Sequence, residues 1–284
     1  MKKVSVIITT YNRANLLMEA IRSVLGQTFR DFELIVVDDC SREDPKMMVD
    51  AFQDQRISYI RHEENKGDAA TKNTGIKAAR GDYIITLDDD DLFAPWALEE
   101  LMKQFEKSTQ DNLGGVYGWS WWTYGGETLR FLARQEKGNI FKAVLKNQIF
   151  TNILFKREVF ETTGLYDETL ESAYDSDFYL RFTKAYNSDF VPRILFVTRL
   201  QKQHHLSAIS LSHMERSQNV ARRFSQGVRF HGALILKFFP APLYFKLSIL
   251  KHKIATFIKN VANTELKKDI AKIQIELNRQ GVKI

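Results

Sequence analysis

Residues 4–8 form a short, largely β-branched apolar run, and Leu16, Leu17, Ala20, Ile21 and Val24 follow it at the three- and four-residue spacing of a helix. The chain therefore opens with a strand and a helix over 15–25. The unit recurs: the pattern predicts a strand at 32–37, a short helix at 45–52, a strand at 57–60, a helix at 69–79 and a strand at 83–87. Strands that are apolar on both faces and alternate with helices imply a parallel sheet covered on both sides. Ligands of such sheets bind beyond the carboxyl ends of the strands. The residues there are Thr9-Thr10-Tyr11-Asn12, Asp38-Asp39, Asn65-Lys66-Gly67-Asp68 and Asp88-Asp89-Asp90-Asp91, so the polar chemistry gathers on one rim.

After a helix over 96–105 the alternation gives way to an aromatic strand at 116–124, a hairpin through Gly125-Gly126 and a strand at 129–133. A strand at 152–155, a turn of helix at 157–161, a helix bearing Asp175 and Asp177 and a strand at 190–198 complete this part. From about residue 207 the pattern is helical, which places a boundary near 210 between a domain of residues 1–210 and a helical basic extension of residues 211–284. Tyr117, Trp119 and Trp121 alternate along one strand face; such rings stack on a ligand or fill a core, and Trp119 is the candidate for ligand contact.

With 284 residues, 44% hydrophobic and only 5 prolines, the chain has the composition of a globular protein with a full core. Cys40 is its single cysteine, which excludes an intrachain disulfide and a cysteine-based zinc site and fits a reducing, cytoplasmic setting. The first apolar run is too short for a leader and lacks a small-residue cleavage site, so it reads as a strand. Residues 230–250 come nearest to a membrane span but are interrupted by Lys237, Pro240, Pro242 and Lys246. Charge divides the chain: residues 199–284 hold 16 Lys and Arg against 4 Asp and Glu, residues 1–198 hold 25 against 31. An acidic body with a basic tail argues against a nucleic-acid reader and for a tail that meets an anionic partner such as a membrane surface.

Four consecutive carboxylates at the end of a buried strand repel one another unless a cation relieves them. Oxygen ligands favour a hard divalent ion, Mg²⁺ or Mn²⁺. The competing reading is a helix N-terminus, with Asp91 as the cap.

The segments VSVIITTYNR (4–13), LIVVDDCS (34–41), NKGDAATKNTGIKAARGDYIITLDDDDLFAP (65–95) and YDSDFYLRF (174–182) resemble, in order and over residues 3–210, the family-2 inverting glycosyltransferases of GT-A fold. The resemblance implies a nucleotide-diphosphate-sugar donor, a UDP-sugar in the first instance, a metal held by a DxD motif, and transfer to an acceptor hydroxyl with inversion. Thr9 and Tyr11 would line the nucleoside pocket, and Asp39 would accept the N3 hydrogen of uracil, with a cap shared with Ser41 as the alternative. Lys72 stands where the family usually has Arg, a point charge in place of a planar fork. Asp88 and Asp90 match the outer DxD positions, with Asp89 beside them at the donor and Asp90 as the metal ligand. Asp175 would be the general base, and Tyr174 replaces the usual Glu before it; Asp177, four residues before Arg181, reads as an ion-pair partner. QKQHHLSAIS (201–210) is similar to a family loop whose histidine reaches metal or diphosphate, here His205. Family members commonly serve cell-surface polysaccharide or glycolipid synthesis, peripheral to the inner face of the membrane. Two other readings stand beside this one: a nucleotide-sugar-binding homologue without turnover, and a nucleotidyltransferase, which TTYNRANLL disfavours because it has no glycine.

Overall fold

A computed structural model describes residues 3–124, 127–133, 152–171, 173–200 and 264–282. The predicted alternation is present as β1 (Val4–Thr10), α1 (Ala14–Leu25), β2 (Phe32–Asp38), α2 (Lys46–Asp50), β3 (Ile57–Arg61), α3 (Asp68–Ala78) and β4 (Tyr83–Asp88). β1 and β2 are largely apolar and buried along their whole length, and their internal polar pair, Ser5 and Glu33, is joined by a hydrogen bond of 2.7 Å. They pair in parallel with each other and with β3 and β4. Register places Thr9 opposite Asp88 and Thr10 opposite Asp38, so the polar ends of three strands lie side by side.

The second half comprises β5 (Asp91–Phe93), α4 (Ala97–Lys107), β6 (Leu113–Tyr124), β7 (Glu127–Ala133), β8 (Leu154–Lys156), α5 (Arg157–Thr163), α6 (Tyr174–Phe182), β9 (Asn187–Leu200) and α7 (Thr264–Arg279). The nine-stranded sheet runs β3-β2-β1-β4-β8-β6-β9-β5, with β7 paired to β6. β8 is antiparallel to β4 and β6, and β9 is parallel to β6, so the parallel sheet continues into a mixed one. β5 is an addition to the expected elements. Only three residues long, it is held by antiparallel pairing to the far end of β9, Asp91 opposite Thr198, a long-range partner that local pattern does not reveal.

Two packing features position the site. Helix α3 packs Ala69 and Ile76 into a core with Ile7, Ile35 and Val37 of the sheet, and its Gly75 lies on Ile7. A Cβ on Gly75 would stand 2.3 Å from Ile7 Cγ2, so only glycine permits this approach. At the other end of the chain, Ile270, Ile273 and Leu277 of α7 and Val282 beyond it share a core with Leu92, Ala94, Trp121, Ile194 and Val197. Arg193 adds a guanidinium stacked 3.9 Å from the Trp96 ring and an ion pair to Asp269 at 3.5 Å. The end of the 211–284 segment is thus built into the first domain's core; residues 201–263, with His205, lie outside the described residues. No helix among the described residues is long and apolar enough to cross a membrane.

Candidate active site

At the carboxyl end of β4, Asp88 lies 2.8 Å from the Lys72 ammonium on α3. Lys72 also reaches Asp68 at 2.7 Å and donates to the Tyr174 hydroxyl at 2.9 Å. Three donors on one compact ammonium meet three acceptors. That convergence suits Lys better than the flat fork of Arg. The Tyr174 hydroxyl in turn donates to Asp68, and Thr9 donates to the other Asp68 oxygen at 3.2 Å. The two departures from the family pattern, Lys72 and Tyr174, are therefore in contact. A phenol at 174 leaves two carboxylates rather than three around the single charge.

The next carboxylates point elsewhere. Asp89 is fully buried, accepts from Thr10 at 2.6 Å and pairs with Arg13 at 2.7 Å. Asp90 pairs with the other Arg13 nitrogen at 2.8 Å. Arg199 donates to the Asp90 carbonyl at 2.6 Å and pairs with Glu19. Asp91 is not a helix cap: it is a β5 residue whose carboxylate faces the backbone N–H of Arg199 at 3.3 Å, and α4 starts six residues later with Trp96 at its N-cap. Tertiary pairing to β9 captured the residue before the helix began.

The electrostatics retain a surplus of negative charge. Burial pushes the Asp89 carboxyl up to about 7 against the pull of Arg13. Burial also raises Asp88, with Asp68 and Asp90 adding to it and Lys72 opposing, and Asp91 is raised well above the usual carboxylate range by burial and by Asp90 and Asp88. Burial alone would lower Lys72, but Asp68 and Asp88 hold it well above its ordinary value. Among the described residues no three metal-ligating side chains converge as a ready cage. A hard divalent ion needs only one or two protein carboxylates when diphosphate oxygens complete its shell. Asp88, half exposed at the rim, and Asp90, in a cluster still short of positive charge, fit that donor set.

Asp39 is buried, with Oδ1 2.7 Å from His62 Nδ1, and it accepts from the backbone N–H of Lys66 at 2.8 Å and of Gly67 at 2.9 Å. Gly67 adopts φ +86°, which turns the chain into α3 and aims its N–H at the carboxylate. The cap with Ser41 belongs to Asp38 instead, which accepts the Ser41 backbone N–H at 3.1 Å. Tyr11 is 43% exposed on the same rim.

On α6, the Asp175 carboxylate accepts its neighbour's N–H, Ser176, at 2.7 Å. Asp175 follows Tyr174, whose hydroxyl meets Lys72, and its charge, after burial, helps raise the hydroxyls of Tyr166, Tyr174 and Tyr179. Asp177 pairs with Arg181 at 2.8 Å, and Arg181 also donates to the carbonyls of Thr163 and Leu165. Asp177 is thus engaged in tying α6 to the end of α5. Of the aromatic row, Tyr117 and Trp121 are core residues, while Trp119 is partly exposed and packs against Phe190 with centroids 6.0 Å apart.

Sequence reasoning placed Asp68 on the rim without a role and overlooked Arg13, His62 and Arg199. Asp68 and Lys72 stand four apart on one helix, a pairing that spacing alone could have revealed. Arg13 lies inside the first motif and 77 residues from Asp90, and Arg199 is 109 residues away; no local signal links them.

The family model Glycosyl transferase family 2 matches residues 5–164. An uncharacterized glycosyltransferase of Rickettsia conorii is 46% identical over 107 residues, 37% of this chain and 18% of that protein. The succinoglycan biosynthesis protein ExoO of Rhizobium meliloti is 31% identical over 186 residues, 64% of this chain and 51% of its own. The chain therefore spans from under a fifth to about half the length of these relatives. Among solved structures, S. aureus TarS 1–349 in complex with UDP-GlcNAc superposes with a TM-score of 0.66 at 20% identity, over 79% of this chain and 66% of that one. Mannosyltransferase PcManGT from Pyrobaculum calidifontis, in complex with GDP-Man and Mn²⁺, gives 0.60 at 18%, over 98% and 86%. The fold is GT-A. The motif-bearing rim lies within the matched span apart from α6, and the chain belongs to glycosyl transferase family 2.

Proposed function

We propose that the protein transfers a sugar from a UDP-sugar to an acceptor hydroxyl with inversion, in the synthesis of a cell-surface polysaccharide or glycolipid. The observation that carries this reading is the shared rim: β1, β2 and β4 bring Thr9, Asp39 and Asp88 to one sheet edge, and Tyr174, next to Asp175, touches Lys72 there. Thr9, Tyr11 and Asp39 would hold the nucleoside, with Asp39 accepting a base N–H. Lys72 would keep Asp88 in place, and Asp88 and Asp90, with Asp89 beneath them, would hold Mn²⁺ or Mg²⁺. The ion would supply Lewis acidity toward the leaving diphosphate. Asp175 would take the acceptor hydroxyl's proton as that oxygen attacks the anomeric carbon from the face opposite the diphosphate. His205, in the segment that follows β9, would add a diphosphate or metal contact.

A melting panel of nucleotide-sugars, with and without Mn²⁺, tests the donor assignment, because a ligand that binds only the folded state stabilises it. UDP-sugars should raise the midpoint and should do so more with Mn²⁺; stabilisation by GDP-sugars alone would overturn the uridine assignment. The basic segment would hold the protein at an anionic membrane surface that presents a lipid-linked acceptor. The full chain should then sediment with anionic but not neutral vesicles, less so as salt rises. Equal recovery in the supernatant with either vesicle would remove that part of the proposal.

A further inference from the structure

His62 follows β3 directly and is buried together with Asp39, each side chain 5% exposed. Its two ring nitrogens have distinct partners, Asp39 Oδ1 for Nδ1 at 2.7 Å and Thr74 Oγ1 for Nε2 at 2.9 Å. Nδ1 faces a carboxylate oxygen, which can only accept and which already takes the Lys66 N–H at 2.8 Å, so Nδ1 donates. Nε2 meets the Thr74 hydroxyl, which also lies 3.0 Å from the Ala70 carbonyl one turn back on α3. Oδ1 of Asp39 thus receives two donors, which fills it. Oδ2 receives the Gly67 N–H at 2.9 Å and retains room for one more.

We propose that His62 is a positioning residue for base selection: by anchoring Oδ1 of Asp39 to α3 through Thr74, it leaves Oδ2 as the acceptor for a ring N–H of the donor's base. This rests on the reading of Asp39 as the base contact and extends it to the residue that fixes the carboxylate's rotation. Without His62, Oδ1 loses one of its two donors and the carboxylate can turn to share the backbone N–H groups differently. Discrimination then weakens, since a site rejects an analogue strongly only when its polar atoms are held where the analogue leaves them unpaired.

The test is calorimetric binding of UDP and CDP to the full chain in Mn²⁺. These ligands share ribose and diphosphate, but uracil offers N–H at ring position 3 and cytosine a bare acceptor nitrogen. The unmodified protein should favour UDP by at least about tenfold. His62→Leu should reduce that preference to within about threefold mainly by losing UDP affinity, with CDP affinity little changed. His62→Asn, whose amide nitrogen occupies the Nδ1 position, should restore most of the preference. His62→Gln, which reaches only the Nε2 position, should not, and it replaces His62→Leu if that variant does not fold. A His62→Leu protein with native melting and an unaltered UDP to CDP ratio overturns the proposal. So does an equal loss of both ligands in Leu and Asn variants, the signature of a merely structural role. Absence of any UDP preference in the unmodified protein overturns the base reading of Asp39 itself, and is seen before any variant is made.

Discussion

Replacing Asp90 with alanine is expected to lower kcat/KM for glycosyl transfer by about 10³-fold or more and to weaken UDP binding in Mn²⁺. Stabilising the charge on a leaving diphosphate is worth several kcal/mol when a metal does it, and about 1.4 kcal/mol corresponds to each factor of ten. The neighbourhood makes the loss specific. Arg13 bridges Asp89 and Asp90, so without Asp90 the guanidinium still has Asp89 and the local fold keeps its buried ion pair. The diphosphate would then meet Asp88 and the carboxylates around it without the ion that reconciles them. Binding measured with and without Mn²⁺ separates the roles: the variant should resemble the metal-free unmodified protein in both conditions. If Asp90→Ala binds UDP in Mn²⁺ as tightly as the unmodified protein does, Asp90 is not the ligand.

Asp175→Asn should reduce kcat by about 10²- to 10⁴-fold while leaving donor affinity within a few-fold. An amide keeps the size of the carboxylate but takes no proton, and the step it removes belongs to the acceptor. Asp177→Asn should do the reverse of this pattern. Its carboxylate engages Arg181, which also holds the carbonyls of Thr163 and Leu165, so its loss should lower the melting midpoint with kcat altered much less. Turnover retained in Asp175→Asn and lost in a well-folded Asp177→Asn would exchange the two assignments.

Much of this arrangement is legible in the sequence because its determinants are local. Apart from Ser5 and Glu33, residues 4–8 and 32–37 are apolar on both faces, and such strands have few options other than a covered parallel sheet; their ends then put Thr9, Asp39 and Asp88 on one rim. The Asp177–Arg181 pair was readable from helical spacing alone. What escaped local reading depends on distant partners. Asp91 carries the composition of a cap but joins a strand because β9, over 100 residues later, offers it an edge. Tyr174 reads as a defect in the motif until Lys72, 102 residues earlier, is seen beneath it. His62 lies outside every run that carried the resemblance, and its meaning comes only from standing between Asp39 and Thr74.

The close seating of α3 on β1 through Gly75 has a consequence for how the rim adapts to its ligands. Lys72 and Thr74 precede that glycine by three and one positions on the same helix, and Ile7, the residue beneath it, lies two positions before Thr9 on the strand that pairs with β4. With no side chain on the helix at Gly75 and close packing of Ala69 and Ile76 on Ile7, Ile35 and Val37, α3 has little room to slide or roll without separating from the sheet. The ammonium at Asp88 and the hydroxyl behind His62 therefore move as parts of one stiff wall. Under the proposed function, a donor entering there would meet groups already in place and lose little affinity to their rearrangement, so differences in selectivity between related chains would reside in which side chains the wall carries rather than in how far it bends.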